Sequence, residues 1–172
     1  MSTISLSVVY SINKTNGFSN NNTMAWKCPD DIKNFHRTIN HPNGSTLICG
    51  RNTWLTIKNI RLFNGYQIIV VSRKSAEMLK CEAATSLNDA LTKVKNKNVF
   101  VIGGVTLLEE TLKHPLNETV YESIIKDETK CDQQFFPILE EYDEVTCEDR
   151  GTFIYRVLKR PKDALRVLSE NF

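Results

Sequence analysis

The chain has 172 residues, of which 41% are hydrophobic and 24% are charged. This composition excludes collagen-like, low-complexity and disordered classes, and the length suits one domain with a single core. The 22 basic and 20 acidic residues leave a net charge of +2, so no strong overall field points to nucleic acid or an anionic membrane. We therefore expect no nucleic-acid partner.

The five cysteines are widely spaced, and none forms a Cys-x-x-Cys pair. This spacing favours free thiols in a reducing compartment, and no metal site is expected. The first apolar run, residues 4–10, is too short to cross a membrane and follows no charged segment. We therefore predict a cytoplasmic protein without a membrane partner.

Short runs rich in Val, Ile and aromatic residues alternate with helical stretches, which is typical of an α/β fold. Seven runs are predicted strands, at residues 4–10, 46–49, 67–72, 99–102, 119–125, 144–147 and 153–158. The last two flank the turn sequence Asp149-Arg150-Gly151. They are predicted to form an antiparallel hairpin at the end of a mostly parallel sheet.

Apolar residues at helical spacing predict two of the intervening helices. Their apolar stripes are Ile32, Phe35 and Ile39 in the first helix and Leu87, Leu91 and Val94 in the second. Ser86 is the predicted N-cap of the second helix. A short terminal helix is predicted over 161–172, as an extension of a domain that spans 1–160.

Two predicted strand-to-helix turns contain glycine where a phosphate could approach the backbone. One reads Gly50-Arg51-Asn52-Thr53 and the other reads Gly103-Gly104-Val105-Thr106. Glycine permits close approach, and the unpaired N–H groups at a helix N-terminus attract anions. Two such turns suit a dinucleotide pyrophosphate. Neither matches G-x-G-x-x-G or the P-loop, so ordinary turn chemistry remains the alternative.

Cationic residues follow a third predicted strand, where the sequence reads Ser72-Arg73-Lys74. Open α/β sheets bind ligands beyond the carboxyl ends of their strands, and an acid there usually binds a free ribose 2′-hydroxyl. Arg51 and Arg73 in place of an acid favour a 2′-phosphate. The alternative is that each arginine is simply solvated.

A pair of carboxylates lies at the start of the first predicted helix, shortly after Trp26. Asp30 is expected to face solvent as the N-cap, whereas Asp31 shares the apolar face with Ile32. A carboxylate on an apolar face is costly unless it meets donors. Asp31 therefore implies a ligand with paired N–H groups, or alternatively a capping role.

In this order the motifs resemble the dihydrofolate reductase family over roughly residues 4 to 158. The segment from Gly17 to Trp26 has the length of that family's mobile loop, and Asp31 matches its pterin-binding acid. The later matching blocks are Gly50-Arg51-x-Thr53-Trp54, Val71-Ser72-Arg73, Val101-Ile102-Gly103-Gly104 and Asp132-Gln133-Gln134-Phe135-Phe136-Pro137. The resemblance implies NADPH-dependent reduction of 7,8-dihydrofolate to tetrahydrofolate.

The resemblance also implies the architecture. The sheet is expected to be doubly wound, eight-stranded and mostly parallel, with an antiparallel C-terminal strand and helices on both faces. A cis peptide is expected between Gly103 and Gly104.

Site residues follow from the same resemblance. Asp31, helped by Ser123, would hold the pterin, and Trp26 would order a water. The implied substrate slot comprises Val8, Val9, Ile32, Phe35, Ile57 and Phe63. The implied NADPH site comprises Gly50, Arg51, Asn52, Thr53, Ser72, Arg73, Ile102, Gly103, Gly104, Val105 and Thr106.

Several positions depart from the family pattern. Ala25 replaces the loop proline, Ser19 a loop glycine, and Leu108 the aromatic residue beside the nicotinamide. Tyr66 stands where the family has the arginine that binds the substrate's α-carboxylate.

Three hypotheses follow from the missing arginine. In the first, the protein is a dihydrofolate reductase that binds the glutamate tail weakly, with Arg61 or His36 contributing to tail binding by position. In the second, it reduces a pterin-like substrate without a glutamate tail. In the third, it is a ligand-binding protein without turnover. A small-molecule substrate and a monomer are expected.

Overall fold

The computed structural model describes residues 3–74 and 76–162. Its strands are β1 (Ser5–Asn13), β2 (Gly17–Ser19), β3 (Ser45–Gly50), β4 (Gln67–Val71), β5 (Glu82–Ala84), β6 (Asn98–Gly103), β7 (Asn117–Ile125), β8 (Gln133–Gln134), β9 (Asp143–Asp149) and β10 (Phe153–Lys159). Its helices are α1 (Pro29–Ile39), α2 (Arg51–Ile57), α3 (Ala76–Leu79), α4 (Leu87–Thr92) and α5 (Val105–Lys113), with a 3₁₀ turn at Arg61–Phe63.

Eight strands form one sheet in the order β5-β4-β3-β6-β1-β7-β10-β9, and β2 pairs with β8 separately. Strand β10 runs antiparallel to both of its neighbours, and the other seven strands share one direction. The predicted mostly parallel sheet with an antiparallel C-terminal strand is confirmed. All seven strands predicted from residue patterns are present, with ends shifted by one to a few residues.

Helices cover both faces of this sheet. Through α1, α2 and α3 the chain moves outward to the β5 edge, and through α4 and α5 it returns past the centre to β7. Because parallel crossovers are right-handed, this reversal places the first three helices on one face and the last two on the other. The core agrees, since Val8 packs with Leu107 of α5, whereas Val9 packs with Ile39 of α1.

The reversal also opens a crevice in the sheet. Strands β1 and β6 are neighbours, but the helices that follow them lie on opposite faces. Ligands of doubly wound sheets bind in such a crevice, beyond the carboxyl ends of the strands.

Helix starts are determined by local chemistry. The side chain of Ser86 accepts a hydrogen bond from the backbone N–H of Asp89 at 3.0 Å, so the predicted N-cap of α4 is confirmed. Helix α1 begins at Pro29, and Cys28 is its N-cap residue. The prediction that Asp30 is the N-cap is therefore wrong, because proline, which lacks an N–H to satisfy, takes the first helical position. Asp30 is exposed in the first turn.

Helix α4 ends before the last residue of its predicted apolar stripe. Val94 lies beyond α4, which ends at Thr92. The predicted terminal helix over 161–172 lies outside the described residues except for its first two positions, so the division into 1–160 and an extension stays a prediction.

A polar network around the buried Glu122 links four neighbouring strands. Tyr10 on β1 donates to Glu122 Oε2 at 2.6 Å, and Arg156 on β10 donates to Glu122 Oε1 at 2.6 Å. Glu122 is only 2% exposed, and Arg156 also donates to Glu144 at 2.7 Å. Burial and the neighbouring Glu122 raise the pKa of Tyr10 well above its usual value, so the phenol remains a donor.

We expect Tyr10→Phe to lower the free energy of unfolding by about 1–3 kcal/mol, because Glu122 Oε2 loses its donor inside the core. Denaturant unfolding of both proteins measures the change. Tyr66→Phe is the matched control, since the Tyr66 hydroxyl makes no hydrogen bond to any described residue. Equal effects of the two substitutions would show that the hydrogen bond to Glu122 does not stabilise the fold.

Candidate active site

A cavity of about 830 Å³ lies at the carboxyl ends of the central strands. Its volume is within the range of small-molecule and cofactor sites. Most of the predicted site residues line it: Asp31, Val9, Ile32, Phe35, Ile57, Phe63, Gly50, Arg51, Asn52, Thr53, Ile102, Gly104, Val105 and Thr106. The structure thus brings the predicted substrate slot and the predicted phosphate turns into one cavity.

Asp31 lies in the first turn of α1 and is only 3% exposed. Ser11 on β1 donates to Asp31 Oδ2 at 2.5 Å. Ser123, the register partner of Ser11 on β7, also faces the carboxylate. Burial raises the pKa of Asp31, and the hydroxyls of Ser11 and Ser123 act in the opposite direction. The result is a buried acid on the cavity wall with serine hydroxyls beside it.

Trp26 packs behind this acid rather than inside the cavity. It is 7% exposed and shares an apolar cluster with Cys28 and Phe153. Its Nε1 is buried and makes no hydrogen bond to any described residue. The indole N–H is therefore a donor without a protein acceptor, next to the start of α1.

The two glycine turns meet at the opposite wall. A Cβ placed on Gly50 would lie 3.6 Å from the backbone nitrogen of Gly104. Gly103 has φ +144°, and a Cβ there would lie 3.0 Å from Thr53 Oγ1. The Gly103–Gly104 peptide is cis, as the resemblance predicted. Any side chain at Gly103 would be strained and crowded, so glycine is required there.

Both helices that follow these turns begin without a side-chain cap. The N-cap residues are Gly50 for α2 and Gly104 for α5, and neither can accept a hydrogen bond through a side chain. The first-turn N–H groups of both helices therefore remain available to an anion. Thr53 and Thr106 add hydroxyls on the cavity wall.

The cationic residues follow the ends of two adjacent strands. Gly50 and Val71 are register partners on adjacent parallel strands, so Arg51 and the Ser72-Arg73 pair follow neighbouring strand ends. Both arginines are exposed, and neither forms an ion pair with a described residue. Arg51 lines the cavity, while Ser72 and Arg73 lie beyond its lining.

The structure places Val8 outside the predicted substrate slot. It is fully buried in the core on the α5 side of the sheet and does not line the cavity. Successive residues of a strand point to opposite faces, so Val9 lines the cavity and Val8 cannot do so with its side chain.

Pattern reasoning missed several lining residues. Ser11 lies two positions after Val9 on the same face of β1, so strand alternation alone could have identified it. Phe18 lies on the three-residue strand β2, which is too short to show alternation, and Thr23 and Met24 belong to the segment between β2 and α1, where no periodicity marks their direction.

A second groove, of about 400 Å³, adjoins the cavity. It shares Ile32 and Leu62 with the cavity, and its polar lining residues are Lys33, His36, Arg37 and Asn40. Three of these four are basic, so an anionic group is favoured here. Tyr66 lies outside both spaces and packs against the core cluster of Val9 and Ile39.

Within residues 3–74 and 76–162, no group of three or more His, Cys, Asp or Glu side chains is arranged to hold a metal ion. No helix in the same ranges has the length and apolar character needed to cross a membrane.

The fold is a doubly wound α/β sheet whose cavity can accept an elongated ligand. Two helix N-termini without side-chain caps suit an anionic part of such a ligand, and the buried carboxylate of Asp31 suits a part that donates N–H groups. The sequence matches the family model described as dihydrofolate reductase over residues 5–152. The chain belongs to the dihydrofolate reductase family.

Individual relatives agree with this assignment. The chain is 26% identical over 154 residues to dihydrofolate reductase of Pneumocystis carinii, a match that covers 78% of this chain and 74% of that protein. It is 28% identical over 149 residues to bifunctional dihydrofolate reductase-thymidylate synthase 2 of Arabidopsis thaliana. That match covers 77% of this chain and 26% of the plant protein, so the chain spans about a quarter of this relative's length.

A solved structure confirms the fold. Dihydrofolate reductase from Enterococcus faecalis, complexed with NADP(H) and RAB-propyl, superimposes with a TM-score of 0.75 at 20% identity. The match covers 92% of this chain and 97% of that chain.

Proposed function

We propose that this chain is an enzyme that reduces 7,8-dihydrofolate to 5,6,7,8-tetrahydrofolate with NADPH. The observation that carries the proposal is Asp31, a buried carboxylate that accepts a hydrogen bond from Ser11 on the wall of a cavity whose opposite wall consists of two glycine turns. Membership of the dihydrofolate reductase family supports the same reaction.

Asp31 is suited to bind the pterin. Its two oxygens can accept the paired N–H groups of a pterin amidine edge, with the charge-assisted geometry that such pairs favour. Ile32, Phe35 and Phe63 form apolar walls that can flank the ring and exclude water. When the substrate's N5 takes a proton from water, the negative charge of Asp31 stabilises the cationic pterin that results.

The other half of the cavity suits the cofactor. When bound, NADPH supplies the hydride for C6 of the pterin. Thr53 and the Gly103–Gly104 turn would hold its pyrophosphate. Arg51, Ser72 and Arg73 would hold its 2′-phosphate. The other residues that would contact the cofactor are Gly50, Asn52, Ile102, Val105 and Thr106, which all line the cavity.

The direct test is oxidation of NADPH by the purified chain, followed by loss of its absorbance, with dihydrofolate and in parallel with an untailed dihydropterin. We expect turnover of dihydrofolate. Turnover of the untailed compound alone would replace the proposal with a different pterin reductase. Binding of both compounds without turnover would make the protein a binder.

Turnover of the untailed dihydropterin alone is favoured by one feature: Tyr66 occupies the position of the family's carboxylate-binding arginine. A phenol carries no charge and offers one donor, so it cannot replace a bidentate guanidinium. The basic groove beside α1 supports the opposite view, since Lys33, His36 or Arg37 could take over the anionic tail.

We expect Tyr66→Arg to lower KM for dihydrofolate by roughly tenfold or more, because a new charge-assisted fork contributes about 2–3 kcal/mol. The value of kcat should change less, since the tail lies far from the hydride and contributes uniform binding. Steady-state kinetics of both substrates measure this, with Tyr66→Phe as the uncharged control. An unchanged KM in Tyr66→Arg would mean that another group already holds the tail.

We propose further that the protein acts as a cytoplasmic monomer. All five cysteines carry free thiols, which supports a reducing compartment. Light scattering of the purified chain tests the oligomeric state.

A further inference from the structure

Ser11 contacts the carboxylate of Asp31 and has no role of its own in the proposed reaction. Its hydroxyl donates to Asp31 Oδ2 at 2.5 Å, and it lines the cavity beside the carboxylate. Ser11 and Ser123 are register partners on the adjacent strands β1 and β7. Two hydroxyls from the sheet thus converge on one carboxylate from α1.

This arrangement has a geometric consequence for the acid. Each carboxylate oxygen has two acceptor sites, so a hydroxyl on Oδ2 leaves a site on that oxygen and both sites on Oδ1. A carboxylate that accepts from fixed strand residues cannot rotate freely about its terminal torsion, which is otherwise broad. The remaining acceptor sites therefore have defined directions before a ligand arrives.

We propose that Ser11 is a positioning residue: with Ser123 it forms a two-hydroxyl clamp that orients the Asp31 carboxylate toward the paired N–H groups of the substrate. This inference rests on the proposed function. The serine contacts no reacting atom and acts through Asp31.

The surroundings of Asp31 permit a clean test. Strands β1 and β7 present the two hydroxyls to it, and its neighbour Asp30 is on the exposed side of α1. Burial raises the pKa of Asp31, and the hydroxyls of Ser11 and Ser123 oppose that effect. Removal of one hydroxyl should therefore be visible directly in the titration of the acid.

The experiment is a carbon-13 NMR titration of the Asp31 carboxyl in the substrate-free protein, with the signal assigned from its loss in Asp31→Asn. We expect Ser11→Ala to raise the midpoint by about one pH unit, the size of one hydrogen bond to a charged group. Ser11→Thr, which keeps the hydroxyl, should restore the original midpoint. Ser7→Ala is the matched control, because Ser7 lies on the same face of the same strand, four residues earlier.

Kinetics provide the second measurement. The ratio kcat/KM for dihydrofolate should fall about tenfold in Ser11→Ala and recover in Ser11→Thr. An unshifted NMR midpoint in Ser11→Ala, or a loss of kcat/KM that Ser11→Thr does not recover, would overturn the clamp. A raised midpoint in Ser11→Ala, combined with no turnover of dihydrofolate by the wild type, would instead reject the proposed function and keep the clamp, so the two failures are distinguishable.

Discussion

Asp31→Asn is expected to reduce the rate of dihydrofolate reduction by about 100-fold or more at neutral pH. An amide has nearly the same shape as the carboxylate but carries no charge, so it cannot stabilise the protonated pterin. The effect should be large because Asp31 is buried, where charges are weakly screened. Single-turnover rates with saturating NADPH measure the chemical step.

Asp30→Asn is the matched control for this prediction. Asp30 precedes Asp31 on the same helical turn but is exposed, so its substitution should change the rate little. If the two variants were equally active, Asp31 would not be the pterin-binding acid.

The thermal stability of Asp31→Asn separates lost chemistry from lost folding. The pKa of Asp31 is raised in the folded protein, so the folded state binds more protons than the unfolded state as pH rises through the two pKa values. Ionised Asp31 therefore destabilises the wild type at neutral pH and does not do so below the unfolded pKa of about 3.9. Asp31→Asn should melt a few degrees higher than wild type at neutral pH, an advantage that disappears at low pH.

The combined variant Arg51→Ala, Arg73→Ala is expected to abolish a preference for NADPH over NADH that is at least tenfold in the wild type. Each charge-assisted contact to a 2′-phosphate is worth about 1.5–3 kcal/mol, and NADH offers no such phosphate. The two arginines follow adjacent strand ends and have no ion-pair partner among the described residues, so both are free to bind the anion.

Fluorescence titration of wild type and variant with both cofactors measures this preference. Lys74→Ala is the control, because it removes a neighbouring exposed cation that has no assigned contact. Affinity for NADH should stay nearly constant throughout. A wild type that binds both cofactors equally would exclude the 2′-phosphate site.

Much of the sheet could be predicted from the sequence, because seven strands carry dense β-branched and aromatic runs. Strands β2, β5 and β8 have three residues or fewer, which is too short to show alternation. Their existence depends on pairing with distant segments. Sequence alone also does not show which residues of β1 lie on which face of the sheet. In a continuous apolar run such as Val8-Val9, nothing reveals which residue faces the cavity.

The candidate site was predictable to the extent that it lies on regular elements. Asp31 could be identified because helical spacing placed a charge on an apolar face, and the glycine turns because they end strong strands. Strand alternation could place Ser11 on the cavity face of β1, but its hydrogen bond to Asp31 could not be predicted, because it forms only when α1 packs against that strand. The segment with Thr23 and Met24 depends on contacts across the cavity that no local pattern encodes.

Strand β9 has a consequence for behaviour in concentrated solution. It forms one edge of the sheet, and all of its residues are exposed. An open edge can template pairing with another copy, which leads to aggregation. Here the edge carries Asp143, Glu144, Glu148 and Asp149, and its pairing with β10 is interrupted by an irregularity near Leu158. The opposite edge, β5, has three residues. Acidic repulsion protects one edge and shortness the other, so the molecule resists edge-to-edge self-association.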